Sequence, residues 1–505
     1  MRHRKQHSAY LFPLLFSLSA EIVVLLSTSS YGIGTSPDSI AYISTARNLL
    51  ADKGFVLFDG TLYVAWPPLF PTLLALIGSG GMDLLVSSRF VNAICLALIT
   101  FISSYWLLDH IHLRPLALLG SAAIVLSPPL ITVSLMAWSE PLFILLTLLC
   151  LFALERLLKG DKYEFYLLSI LFAALALVTR YSGSVTILVG VLVLLFQRTA
   201  LRIRRIVDSV SFALLSSLPL CIWLGRNYLV ASTLVGDRGA STLTLRQNIY
   251  MMLYSIGDWF LPVGSNMISS IFSIALICIL AVGLAHKYDE TNRKDISSLS
   301  SLPFLIFTTV YVCYLVATES TLALDPIDSR LLSPIGIPLI FSIVIVADNL
   351  RLSLARQLRE RTANLLIVGG LGILFVYWMG YAGAVARVTI QNGLGYSTAA
   401  WESSALVRLI GNLPSANLFT NEPEAVYLYT RRPVKRSPRA FKYNSSTKTD
   451  DLAAFTRLIK QSGSVYLVWF NDSHWPNLVS LDTLETSFKF ETIATTREGA
   501  IYILK

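Results

Sequence analysis

The sequence predicts a polytopic α-helical membrane protein of about eleven transmembrane helices, followed by a small C-terminal external α/β domain. Three observations carry that prediction. The 505 residues are 54% hydrophobic and only 14% charged, with a mean hydropathy of +0.63, whereas an ordinary soluble chain is about 25% charged. Apolar runs of membrane-crossing length recur along residues 1–385, and ~20 such residues span a ~30 Å hydrocarbon core. Over residues 386–505 the runs give way to polar punctuation and short amphipathic elements. This composition excludes an ordinary soluble enzyme, a disordered chain and a nucleic-acid-binding module. Much of the net charge of +9 sits in short loops between apolar runs, where basic residues orient helices against the bilayer.

Arg2, Arg4 and Lys5 precede the apolar run Tyr10–Thr28, as in a signal peptide. Glu21 inside the run points instead to an uncleaved first helix that starts in the cytoplasm. A charge at mid-bilayer costs ~2.5–3.5 kcal/mol and calls for a partner or a watery cavity. The remaining helices are expected near 84–108, 115–131, 141–157, 166–178, 182–196, 206–224, 267–285, 302–317, 331–347 and 363–383. Turns 156–162, 198–205, 287–294 and 351–361 carry basic residues such as Arg202, Arg204, Arg205, Arg351 and Arg356, and the opposite loops around 128–139, 180–181 and 319–330 are poor in them. Eleven crossings with that asymmetry place the N-terminus in the cytoplasm and the C-terminus outside. The five cysteines lie in apolar stretches without a CxxC pair and read as buried small hydrophobes.

Two domains are expected, a transmembrane unit over 1–385 and an external α/β unit over 386–505. In the second, Asp450–Gln461 has helical apolar spacing, Ser464–Phe470 reads as a buried strand, and Lys489–Thr495 pairs with Ala500–Leu504 as a terminal hairpin.

The segment 31–71 is far longer than a turn between two helices requires. From Asp38 to Lys53 an N-cap acid is followed by Ile40, Tyr42, Ile43, Ala46, Leu49 and Leu50, which predicts an amphipathic helix lying on the membrane surface. Trp66-Pro67-Pro68 opens a second re-entrant or interfacial segment. Capping alone would account for Asp38. Glu140 reads as a cap of the helix it opens, and Asp325 and Asp328 as caps or partners of Arg330. Arg180, Arg226, Arg238 and Arg330 fall on the external side, as headgroup anchors or as an anion clamp. Tyr42, Tyr63, Trp66, Tyr228 and Trp259 fit either an interfacial aromatic belt or platforms for a sugar ring. His110 and His112 lie on the cytoplasmic side without a spaced acid, so no metal set is visible, a divalent ion lacks support and no cofactor is assigned. No phosphate-binding Walker loop, GxSxG elbow or dinucleotide fingerprint is present.

A pattern links the long loop to later segments: Asp38, Tyr42, Ala46-Arg47-Asn48-Leu49, Gly54-Phe55 and Trp66-Pro67-Pro68-Leu69-Phe70-Pro71, then Trp138-Ser139-Glu140-Pro141, Thr179-Arg180-Tyr181, Arg226-Asn227-Tyr228 and Asp328-Ser329-Arg330. It resembles the GT-C glycosyltransferases that use lipid-linked sugars, which include protein O-mannosyltransferases, the aminoarabinose transferases of lipid A and bacterial relatives of glycosyltransferase family 39. The resemblance implies an inverting hexosyl or pentosyl transferase. It would move a sugar from a polyprenyl-phosphate donor to a lipid, glycan or protein acceptor at the external face of the plasma (inner) membrane, with no nucleic acid as partner. Asp38 is then the general base. Arg330 and Arg226, with Arg180 and Arg238, bind the donor phosphate, and Tyr42, Trp66, Glu140, Tyr228, Trp259 and Asp328 are substrate-cavity candidates. Many relatives carry a doubled acid where this chain has Pro37-Asp38-Ser39, and a charged pair where it has Ala65-Trp66, which argues against protein mannosylation or lipid A modification in particular. The alternatives are a flippase or transporter of lipid-linked saccharide, against which the lack of two related halves counts, and a saccharide ligase.

Overall fold

The computed structural model describes residues 2–160, 163–196, 201–262, 264–290, 300–414, 417–462, 464–473 and 475–505, with side chains left out over 2–9 and 286–290. The turns expected at 156–162, 198–205 and 287–294 lie partly outside the described residues. The membrane part comprises α1 (Arg2–Ser27), α2 (Pro37–Leu50), α3 (Leu69–Gly78), α4 (Leu84–His110), α5 (Arg114–Val125), α6 (Pro128–Ser134), α7 (Glu140–Leu158), α8 (Glu164–Thr179) and α9 (Ser184–Phe196). It continues through α10 (Arg202–Ala231), α11 (Leu245–Asp258), α12 (Asn266–Glu290), α13 (Leu302–Glu319), α14 (Ser329–Leu332), α15 (Gly336–Ala355) and α16 (Glu360–Asn392). Nine spans among the described residues are long and apolar enough to cross a membrane. The expected helices at 166–178 and 182–196 correspond to the shorter α8 and α9. At 16 residues, or about 24 Å, α8 falls short of a ~30 Å hydrocarbon core.

Several helices outrun their expected limits because apolar periodicity marks the hydrocarbon and not the helix ends. α10 continues past its apolar run through Arg226 and Asn227. α16, at 33 residues or about 50 Å, is longer than a ~30 Å hydrocarbon core requires. It ends in a small hairpin, β1 (Gly393–Leu394) with β2 (Ser397–Thr398).

The C-terminal region continues with α17 (Ala399–Glu402), α18 (Ala405–Gly411), β3 (Leu418–Thr420), α19 (Pro423–Thr430), β4 (Lys435–Arg436), α20 (Asp451–Ser462), β5 (Val465–Phe470), α21 (Leu481–Ser487), β6 (Phe490–Thr495) and β7 (Gly499–Leu504). Its five strands run in the order β4-β3-β5-β7-β6, parallel from β4 to β5 and antiparallel beyond. Successive side chains of a strand face opposite ways. Val465 and Leu467 therefore pack with Phe455 and Ile459 of α20, while Val468 and Phe470 join Leu406 and Ile410 of α18.

Five expectations are corrected. The helix α2 is no surface float: Ser39 through Ala46 are all buried, because Tyr396, Ala425 and Tyr427 of the C-terminal region close over Ile40. Its N-cap is Ser36, so Asp38 lies one step inside the first turn and is not the capping residue. Of the cysteines, Cys221, Cys278 and Cys313 are exposed. They lie on α10, α12 and α13, on faces that no other described helix covers. The histidines do have acidic partners, from other helices: His110 Nε2 is 3.1 Å from Glu155 and His112 Nδ1 is 3.0 Å from Asp348. Asp348 also receives Arg351 Nε at 3.1 Å, so that arginine is a buried helical residue and not a loop charge.

Candidate active site

The start of α2 is fixed by a close stitch between three segments. Gly34 donates to the Leu135 carbonyl at 2.9 Å and accepts from the Ala137 amide at 2.8 Å, and Tyr396 donates to the Thr35 carbonyl at 2.9 Å. Neither glycine in this stitch can be replaced at no cost. A Cβ on Gly34 would lie 2.4 Å from the Met136 sulfur, and one on Gly395, whose φ is +59°, would lie 2.0 Å from the Thr35 carbonyl. With the backbone held there, the Trp138 indole donates to Ser36 Oγ at 2.7 Å, and Asp38 is turned toward a cavity of about 630 Å³ between the helix ends and the C-terminal region.

Two arginines meet Asp38 and Glu140 beside this cavity. Arg330 enters on the one-turn helix α14, which Asp328 caps by accepting the Leu331 amide at 2.9 Å. Its guanidinium lies 4.1 Å above the Trp138 ring, binds Asp38, and reaches Glu140 Oε1 at 2.5 Å. Arg180 sits in extended backbone between α8 and a single 3-10 turn, Tyr181–Gly183, and bonds the same Glu140 oxygen at 2.8 Å. Glu140 is 1% exposed and opens α7 behind both arginines. It is their shared counter-ion and not a cap.

Burial would raise the Asp38 carboxyl, but Arg330, with smaller help from Arg180 and Trp66, outweighs it and holds the group below its ordinary 3.8. Asp38 is therefore ionised at neutral pH. A depressed folded-state pKa contributes stability that is present above the unfolded value and lost as pH falls through the folded one. Thermal melts of the wild-type protein and Asp38→Asn should accordingly converge below about pH 4, whereas a gap that widens on acidification would contradict the Asp38–Arg330 pairing. Burial, with Asp38 adding to it, raises the Tyr42 hydroxyl pKa. Tyr42 stays neutral, lies 3.4 Å from Ser139 Oγ, and packs edge-on against Trp66.

The other candidates separate into two groups. Tyr42, Trp66, Arg180, Arg238 and Arg330 line the cavity with Asp38. Arg238 donates to the Ala65 and Val235 carbonyls at 3.1 and 3.3 Å. Among the described residues it is the cavity arginine with no carboxylate within salt-bridge reach. Arg226, expected in the phosphate clamp, is elsewhere. It stacks 4.9 Å from Trp223 and donates to the Tyr63 and Phe55 carbonyls, so it braces the long loop. Tyr228 projects from α10 and is 62% exposed. Trp259 is buried behind α14, where its indole donates to Ser329 Oγ at 2.8 Å. Asp328 is occupied as the α14 cap, and Glu140 stands behind the wall and not in it.

The opposite wall comes from residues that sequence reasoning missed: Glu424, Arg436, Arg439, Lys442, Tyr443 and Trp475. Arg436 pairs with Glu424 and stacks 5.1 Å from Trp475, while Lys442 reaches Asp237 at 2.5 Å. A signal existed, since Arg431, Arg432, Lys435, Arg436, Arg439 and Lys442 crowd one short stretch of an otherwise weakly charged chain. Glu319 and Asp325 also face the cavity. No group of three His, Cys, Asp or Glu among the described residues is placed to hold a metal ion.

No family model and no curated protein matches the chain. Solved structures do. ArnT from Cupriavidus metallidurans in the apo state superposes with a TM-score of 0.60 at 13% identity, over 97% of both chains. The same protein bound to undecaprenyl phosphate gives 0.56 at 14% identity, again over 97% of both. The chain has the GT-C fold. The mycobacterial arabinofuranosyltransferase AftD (mutant R1389S) shares this GT-C fold at a TM-score of 0.51 and 15% identity, over 97% of this chain and 41% of its own. Within that fold, the Asp38–Arg330–Glu140–Arg180 cluster lies at the wall of a cavity formed jointly by the helix ends and the C-terminal region.

Proposed function

We propose that this protein is an inverting glycosyltransferase that moves a sugar from a polyprenyl-phosphate donor to an acceptor at the external face of the membrane. The observation that carries this reading is the cavity that Asp38 shares with Arg180, Arg238 and Arg330. A sugar whose carrier stays in the bilayer must react at its surface, in a polar recess reached from lipid. A neighbour of the same fold binding undecaprenyl phosphate supports the donor class.

The chemistry needs one base and one cationic site. The acceptor oxygen or nitrogen forms a bond to C1 of the sugar as its proton passes to the Asp38 carboxylate. The C1–O bond to phosphate breaks, and its electron pair leaves with the polyprenyl phosphate. Developing charge on that phosphate is stabilised by fixed cations. Arg238 is the one we assign first, because among the described residues no carboxylate lies within salt-bridge distance of it and its bonds go to backbone carbonyls. Asp38 held by Arg330 is a weak base. An arriving phosphate competes for Arg330, which loosens that hold and raises the proton affinity of Asp38 at the moment it is needed. Direct displacement with one carboxylate inverts the anomeric centre.

Arg238→Ala should weaken undecaprenyl phosphate binding by about 10–100-fold, the worth of a charge-assisted hydrogen bond. Arg226→Ala should leave that affinity alone and lower the melting temperature. Equilibrium binding and melts on both variants check this, and the opposite assignment of effects would restore Arg226 to the phosphate site. For sidedness, a reporter fused after Lys505 should be active only outside the cytoplasm. Cytoplasmic activity would reverse the orientation.

A further inference from the structure

Residues 441–448 form a hairpin closed by a bridge between Phe441 and Lys448, and it clasps the membrane part at three points. Lys442 reaches Asp237 at 2.5 Å, the Asn444 side chain donates to the Leu324 carbonyl at 2.8 Å, and the Tyr443 hydroxyl donates to Asp325 Oδ1 at 2.8 Å. The third contact leads into the site. The other oxygen of Asp325 lies 3.7 Å from Arg330, and Arg330 binds Asp38. Tyr443, Asp325, Arg330 and Asp38 thus form an unbroken chain, and all four line the cavity.

We propose that Tyr443 is a positioning residue of the C-terminal region: it keeps Asp325 ionised beside Arg330, so that Asp325 shares the guanidinium with Glu140 and Asp38, and Asp38 is left able to accept a proton. This rests on the reading of Asp38 as the base. A donated hydrogen bond favours the charged form of a carboxyl group. Asp325 needs that help. It faces Asp38 from α2 and lies near Glu319 at the end of α13 and Asp328 in its own loop, with Arg330 and Arg180 as the opposing cations. Burial and then Asp38 push its carboxyl above the ordinary range, while Arg330 and the Tyr443 bond pull the other way. Without the hydroxyl, Asp325 takes up a proton at higher pH. Arg330 then divides its charge between Glu140 and Asp38 only, which strengthens its hold on Asp38, and Asp38 becomes a poorer base. A protonated Asp325 also stops repelling an incoming phosphate.

The test uses the full chain in nanodiscs with undecaprenyl phosphate as the probe, its Kd measured from pH 5 to 9 for wild type, Tyr443→Phe and Asp325→Asn. The second ionisation of the probe is common to all three proteins and cancels in ratios to wild type. In Tyr443→Phe the weakening of binding that accompanies Asp325 ionisation should move up by about one pH unit, the scale of one hydrogen bond to a charged group. Asp325→Asn should bind more tightly than wild type at neutral pH and lack that step altogether. Superimposable wild-type and Tyr443→Phe curves overturn the proposal, as does a pH-independent offset, which would mark a structural role only, or a step that survives in Asp325→Asn. Absence of probe binding to wild type brings down the transferase reading and this inference with it, whereas binding with unshifted curves removes the inference alone.

Discussion

Asp38→Asn is expected to lower kcat for sugar transfer by about 10²–10⁴-fold, the range that a positioned general base contributes, with donor affinity unchanged or higher. The asparagine oxygen still accepts from Arg330, which keeps its bond to Glu140, so the arginine does not move. The substitution removes a negative charge from the cavity that would hold the phosphate, and nothing in donor binding depends on that charge. What disappears is the only atom on α2 that can take the acceptor proton. Steady-state kinetics with a defined polyprenyl-phosphate sugar would read the loss in kcat with a flat or falling KM. A large rise in KM with normal kcat would instead make Asp38 a binding group.

Glu140→Leu should have the larger effect on stability, about 3–5 kcal/mol, as expected when one partner of a buried ion pair is deleted. Glu140 is almost wholly buried and answers both Arg180 and Arg330 through one oxygen. Its loss leaves the two guanidinium groups with Asp38 and the more distant Asp325 as the remaining carboxylates beside Arg330. Glu140→Gln preserves an acceptor and the side-chain volume, and should cost less. Melting temperatures in the same detergent or nanodisc rank the three proteins, and equal stability of Glu140→Leu and wild type would contradict the shared counter-ion role. Activity should fall in both variants, since among the described residues Asp38 and Asp325 are then the only carboxylates bound to Arg330.

Much of this organisation is legible in the sequence because it is local. The apolar runs announce the long helices, Ser464–Phe470 announces β5, and the Pro37-Asp38 start of α2 lies where the pattern puts it. What the sequence hides is non-local. Helical spacing on 38–53 gives a helix but not its surroundings, and residues more than 350 positions later decide that Ile40 is buried. Arg226 and Arg238 are equivalent as letters on the same side of the membrane. Only the rotation of α10, which points Arg226 at the Tyr63 and Phe55 carbonyls, and the path of the following loop separate a brace from a cavity cation. Trp259 fits an interfacial belt by composition and turns out to support Arg330 from behind through Ser329. The cavity wall at 424–477 is built by residues from several segments of the C-terminal region. Its basic stretch was visible, but nothing in the pattern said which surface it faced.

Electron cryomicroscopy of the protein with undecaprenyl phosphate tests the central claim most directly. The phosphate should lie inside the cavity, within hydrogen-bonding distance of Arg238 and close to Arg330, with its prenyl chain leaving toward lipid and the Asp38 carboxylate on the side open to an acceptor. A phosphate bound outside that cavity, or one screened from Asp38 by intervening protein, would contradict it.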